Sequence, residues 1–172
     1  MSATPRIYDD FEAVAVRRTD LALDQEAEDF AFFGPLLQYW SDRRRGRVAP
    51  GRSDIDPLDL PLPLLPHLLL IDVDRQPLDF SYRLAGTVAD TIHGRGLKGV
   101  RVLDLRPEDF ARTLHDDLAR MSAEPAPQFV ELAYVNRDGR IRRYRALRLP
   151  LCDEAGRMTM VLDLADHGLA GR

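Results

Sequence analysis

Two spacings of apolar residues alternate along this chain. Between Gln25 and Arg45, Phe30, Phe33, Leu37 and Trp40 recur at intervals of three, four and three, with Leu36 widening the stripe, which predicts an amphipathic helix. Pro35 falls inside it and either kinks the helix or restarts it. Arg43, Arg44 and Arg45 then suit the negative end of the helix dipole, and Gly46 is a natural stop. Asp56-Pro57 reads as the cap and first residue of a short helix. Leu68–Val73 is a compact apolar run bounded by acidic and turn residues, and a buried-strand candidate. After the turn at Arg75-Gln76-Pro77, Asp79–Ala85 alternates, with Phe80, Tyr82 and Leu84 on one face, so the two segments read as a hairpin.

A glycine-rich stretch, Gly86–Lys98, carries a short helical piece at Val88–Ile92. Arg106-Pro107-Glu108-Asp109 opens a longer helix whose apolar face is Phe110, Leu114, Leu118 and Met121. Three strands follow, Gln128–Val135, Arg140–Leu151 and Met158–Leu164, separated by the turns Asn136-Arg137-Asp138-Gly139 and Asp153-Glu154-Ala155-Gly156. The third is apolar almost throughout and is expected at the centre of a sheet. The fold expected is α+β: a five-stranded antiparallel sheet with helices inserted between strands 2 and 3, plus an N-terminal helix. The divisions are a loosely ordered leader over 1–24, the helix over 25–47, the main domain over 48–167 and a tail over 168–172.

That element order resembles the PAS sensory domain. Leu37-x-x-Trp40, Arg45-Gly46, Pro50-x-Arg52-x-Asp54-Ile55-Asp56-Pro57, Tyr82-Arg83-Leu84-x-Gly86-Thr87 and Leu149-Pro150-Leu151 are similar to a family of stand-alone bacterial PAS proteins known mainly from alphaproteobacteria. The likeness runs from about Ala31 to Asp166. It implies a small non-catalytic sensory or regulatory module that binds a small ligand or a protein partner and signals by a conformational shift. A ligand-free adaptor or dimerisation module is the alternative, and a small enzyme using the same cleft a distant third.

Composition narrows these classes. The 172 residues carry 24 Lys+Arg against 28 Asp+Glu, a formal net charge of −4, which argues against general binding to nucleic acid. Leu60–Ile71 is too short and too proline-broken to span a bilayer, and no signal peptide is visible, so a cytoplasmic protein without membrane contact is expected. Cys152, the single cysteine, lies far from Gly86–Asp104, where flavin photosensors of this class carry theirs, so a flavin adduct is not expected. Haem would need a histidine on the long helix. His115 is there, but beside Asp116 and Asp117 at the edge of the apolar face, which does not favour it. No prosthetic group or metal is expected, though an unidentified small molecule is compatible. The scattered histidines make no metal set, and His67 beside Pro66 reads as a packing residue.

No Gly-x-Ser-x-Gly, Walker loop or His-Glu-x-x-His is present, so no catalytic residues are assigned. The glycines of the middle segment are read as tight-turn residues with positive φ. Tyr82, Arg83, His93, Phe110, Leu114, Phe129 and Tyr144 are the candidate lining of a ligand pocket. Arg83, in mid-strand, is expected to be buried, either paired with an acid such as Asp104 or Asp163 or free to clamp a ligand carboxylate. Arg137, Arg140, Arg142, Arg143, Arg145 and Arg148 read as a row on a solvated sheet face. Phe30, Phe33, Leu36, Leu37 and Trp40 make a stripe large enough to suggest a homodimer interface, with an unidentified signalling protein as further partner.

Overall fold

The computed structural model describes residues 16–135 and 139–168. The leader before residue 16, the tip of the 136–139 turn and most of the tail lie outside them. Six antiparallel strands form one sheet: β1 (Arg17–Asp20), β2 (Leu68–Asp74), β3 (Asp79–Ala85), β4 (Gln128–Val135), β5 (Ile141–Cys152) and β6 (Met158–Asp166), in the order β1-β4-β5-β6-β2-β3. The helices are α1 (Gly34–Arg44), α2 (Thr87–His93) and α3 (Glu108–Ala123). β6 is interior, as its apolar run implied.

The sheet has one strand more than its hydrophobic pattern showed. Arg17–Asp20 reads Arg-Arg-Thr-Asp, with no apolar alternation to reveal it, and pairs with the edge of β4 through its backbone from Arg17↔Ala133 to Asp20↔Val130. The leader expected over 1–24 therefore contains a strand. The helix expected over 25–47 is shorter: Glu28–Phe30 is a single 3-10 turn, and α1 begins at Gly34 with Pro35 in its first turn, where the missing N–H costs nothing. Pro35 starts this helix and does not kink it. The chain leaves α1 through left-handed Arg45 and Gly46 (φ 50° and 78°).

Strand alternation assigns the faces. Val130, Leu132, Tyr134, Tyr144, Ala146, Arg148, Val161, Asp163, Ile71, Phe80 and Tyr82 point to one face, called inner here, which α3 covers. Phe129, Arg145, Leu147, Leu149, Leu162 and Leu164 point to the outer face. There Phe30 and Phe33 pack edge-on to Phe129, at ring separations of 5.1 and 4.9 Å, and the indole N–H of Trp40 donates to the Pro150 carbonyl at 2.8 Å. Phe30, Phe33, Leu36, Leu37 and Trp40 are all buried within this one chain, so the stripe does not supply the dimer interface expected of it. The outer face of the sheet is broad enough to take all five.

Pro150 shows why a proline is tolerated inside β5. β4 ends at Gln128↔Arg148, so beyond it β5 is open on that side, and the bond that would have gone to β4 goes from Trp40 to the Pro150 carbonyl instead. In β3 a register shift opposite Leu70/Ile71 breaks the alternation, so Phe80 and Tyr82 are buried while Arg83 and Leu84 both face solvent. Leu84 does not share the buried face of Phe80 and Tyr82. The glycines divide by role. Gly94 caps α2 at φ 66°, as a turn residue should, but Gly86 has an ordinary backbone (φ −69°) and is needed for space: a Cβ there would lie 2.2 Å from the Pro66 carbonyl oxygen.

Candidate functional site

The layer packed between α3 and the inner face is part aromatic and part charged. α3 turns Phe110, Ala111, Leu114, Asp117, Leu118 and Met121 inward. The ring of Phe110 stacks on Tyr134 at 4.2 Å and 15°, His93 lies against its far side at 6.0 Å, and Tyr144 closes the group between Tyr134 and His167. Burial pushes His93 and His167 down to about 4, so both are neutral at physiological pH. His67 is a packing histidine, with Nδ1 3.2 Å from the Ala165 carbonyl oxygen.

The charged half is the less expected one. Arg148 is wholly buried, and its Nη1–H donates to Asp117 Oδ2 at 2.9 Å. Asp117, also fully buried, receives Arg18 Nε from β1 at 2.6 Å and Arg120 from the next turn of α3 on its other oxygen. On the other side of Arg148, Asp163 Oδ2 stands 3.6 Å from Nε, beyond a hydrogen bond. Arg148 Nε and Nη2 and Asp163 Oδ1 are buried without partners. Burial raises the Asp163 carboxyl to about 6, with Arg148 opposing the rise. Burial works against the charge on Arg148, but the carboxylates of Asp163 and Asp117 oppose it and keep the guanidinium protonated. Burial, reinforced by Asp163, raises the Tyr82 hydroxyl.

Of the expected pocket residues, Tyr82, His93, Phe110, Leu114 and Tyr144 lie in this packed layer. Phe129 does not: strand alternation turns it to the outer face, against Phe30 and Phe33. Arg83 does not either. It is exposed beside the register shift and pairs with Asp72 at 2.8 Å, an ion pair that also holds its charge. The buried arginine expected at position 83 is at 148, and Asp163 is its neighbour, not that of Arg83. Arg83→Ala is therefore expected to leave the melting midpoint within about 2 °C of the unaltered protein. A clearly larger drop in thermal denaturation would contradict that placement.

The arginine row is likewise divided. Arg143 is exposed near Glu131 (3.9 Å), Arg145 ties Asp29 to Asp166 across the outer face, and Arg148 belongs to the core. A cleft of about 430 Å³ beside Tyr144 and His167 is lined by these same paired charges, among them Glu131, Arg145 and Asp166. His115 is half-buried on the flank of α3, its ring 5.1 Å from Phe80. The expected solvated row includes Arg148, and Asp117 reads only as a neighbour of His115, whereas both are fully buried, and the sequence carries a signal for each. Asp117 is three residues after Leu114 and four before Met121, on the apolar stripe, and Arg148 interrupts the run Ala146–Leu151.

Among the described residues no helix is long and apolar enough to cross a membrane, and no three His, Cys, Asp or Glu side chains are grouped to hold a metal ion. No curated protein matches the chain significantly. Solved structures with a similar arrangement include the PAS domain of Bordetella pertussis BvgS (18% identity over 59% of this chain and 76% of that one, TM-score 0.47). A light-oxygen-voltage domain studied with a flavin analogue is also similar (16%, 58% and 74%, TM-score 0.45), as is VqmA bound to DPO (10%, 57% and 50%, TM-score 0.46). The sequence profile of the PAS_5 family of PAS domains matches residues 33–165, which is most of the chain, and the protein belongs to that family.

Proposed function

We propose that this PAS domain is a non-catalytic sensory and regulatory module of the bacterial cytoplasm, and that its stimulus acts in the packed layer between α3 and the inner sheet face. The observation that carries the reading is Arg148. A guanidinium buried completely, with its Nε and Nη2 groups unbonded, is costly in a purely structural core and is more readily understood as a group whose partner changes. A stimulus that altered its pairing would bias α3 and the strands around it, and a partner protein would read that bias as a population shift.

One observation favours the second reading, a ligand-free adaptor. Phe110, Leu114, Tyr134 and Tyr82 are packed to near-complete burial, with Phe110 in direct stacking contact with Tyr134, so the aromatic half of this layer is filled. Native mass spectrometry combined with absorption spectroscopy separates the two. A retained small-molecule mass that is lost on denaturation supports the sensor. A bare chain mass that nonetheless forms a defined complex supports the adaptor. In either case the preparation is expected to be colourless, and a Soret or flavin band would refute that expectation.

A further inference from the structure

The cluster around Arg148 contains three guanidinium groups, Arg18, Arg120 and Arg148, and two carboxylates, Asp117 and Asp163. Arg120 is largely exposed and can swing into water. Arg18 cannot leave as freely, because it is the half-buried member of β1, a strand of four residues whose other side chains are exposed. Asp117 is thus the point where the core is joined to the N-terminal edge strand: one oxygen holds Arg148 and the other holds Arg18. The edge of Arg148 that carries Nε–H and Nη2–H is turned to Asp163 but not bonded to it, so the guanidinium has two acceptors and is fully committed to one.

We propose that Arg148 is a shared cation whose division between Asp163 and Asp117 sets how firmly β1 is held, so that neutralising Asp163 loosens β1. With Asp163 charged, two carboxylates balance the buried cations. With Asp163 neutral, Asp117 alone must hold Arg148, Arg18 and Arg120, and the two cations with access to water, Arg120 and Arg18, give way. Arg18 already has a second partner, Asp20 at 2.9 Å, to receive it. The groups facing Asp163 and its partner are Arg148 and Tyr144 from β5, Tyr82 from β3, Tyr134 from β4, Asp117 from α3 and, through Asp117, Arg18 from β1 and Arg120 from α3. Burial raises the hydroxyls of Tyr82 and Tyr144, which keep their protons, and Asp163 is the group taken to change charge. Because its folded carboxyl is raised, protonation favours the folded state as pH falls toward the unfolded value. The release is therefore local to β1 and is not acid unfolding through this group.

This inference rests on the packed layer being where the stimulus acts, but its test needs no ligand, so its failure would leave that reading to mass spectrometry. Amide hydrogen exchange is followed by NMR on the full chain at pH 7.5 for the unaltered protein, Asp163→Asn and Arg18→Gln. The reporters are the β1 amides and Leu21 N–H, which donates to the Phe129 carbonyl at 2.8 Å. Both variants are expected to speed exchange there by about tenfold while Leu149 and Leu162, in the β5–β6 ladder, are unchanged. Combining them should add little. Should Asp163→Asn fail to fold, titrating the unaltered protein from pH 7.5 to 5, corrected for intrinsic exchange, should show β1 losing protection near pH 6. Arg18→Gln should show no such step. Unchanged β1 exchange, or equal acceleration in every strand, would overturn the proposal.

Discussion

Asp117→Ala is expected to lower the stability of this domain by about 3–5 kcal/mol, the range for breaking a buried ion pair by removing one partner. The side chain is fully buried and anchors Arg148, Arg18 and Arg120 together. Without it, Arg148 would keep its charge in the core with only Asp163 nearby, at 3.6 Å. Urea denaturation gives the number directly, and a loss under about 1 kcal/mol would mean that the cluster is not held as described. The double variant Asp117→Ala, Arg148→Met separates the two parts of the cost. Replacing a buried ion pair by apolar groups is often close to neutral, so the double variant should recover much of what the single one lost. If it is as unstable as the single variant, the cost lies in the cavity left by Asp117 and not in the stranded charge.

Periodicity finds residues that agree with their surroundings. Strands β2 to β6, the long helix and the stripe from Phe30 to Trp40 announce themselves this way, and they appear in the structure close to where the pattern put them. A buried charge breaks the pattern, and a break can mean exposure or a partner from another element. Arg83 and Arg148 look alike in sequence, each an arginine within an apolar strand. A register shift opposite Leu70/Ile71 turns one outward, and Asp117, 31 residues away, holds the other inside. Neither cause is local. β1 was missed for a related reason, since its place in the sheet depends on the backbone of β4 and not on its own side chains. The same limit applies to the stripe from Phe30 to Trp40: its size was legible, but not that the outer face would bury all of it.

Gly86→Ala is expected to be the other severe substitution, and it tests a close backbone approach that no charge explains. The residue is the N-cap of α2, with φ −69° and ψ 158°, a conformation that alanine adopts without strain. Judged by backbone preference alone, the change should be mildly stabilising, because alanine restricts the unfolded chain. Space decides otherwise. The added Cβ would stand 2.2 Å from the Pro66 carbonyl oxygen and 2.7 Å from that of Leu65. Both are backbone atoms of the 3-10 segment Leu62–His67, which leads directly into β2 and cannot rotate aside as a side chain could. The Gly86 amide also donates to the Leu68 carbonyl at 2.8 Å, so backing away from Pro66 would stretch the bond that joins the start of β2 to the end of β3. Overpacking of this kind costs about 1–3 kcal/mol or more. A contrast is available at Gly96, where no atom lies within 4 Å of an added Cβ and no positive φ is required. Gly96→Ala should leave the melting midpoint nearly unchanged, while Gly86→Ala lowers it by several degrees. Equal midpoints for the two would show that the Pro66 segment yields, and would remove close approach as the reason for glycine at this position.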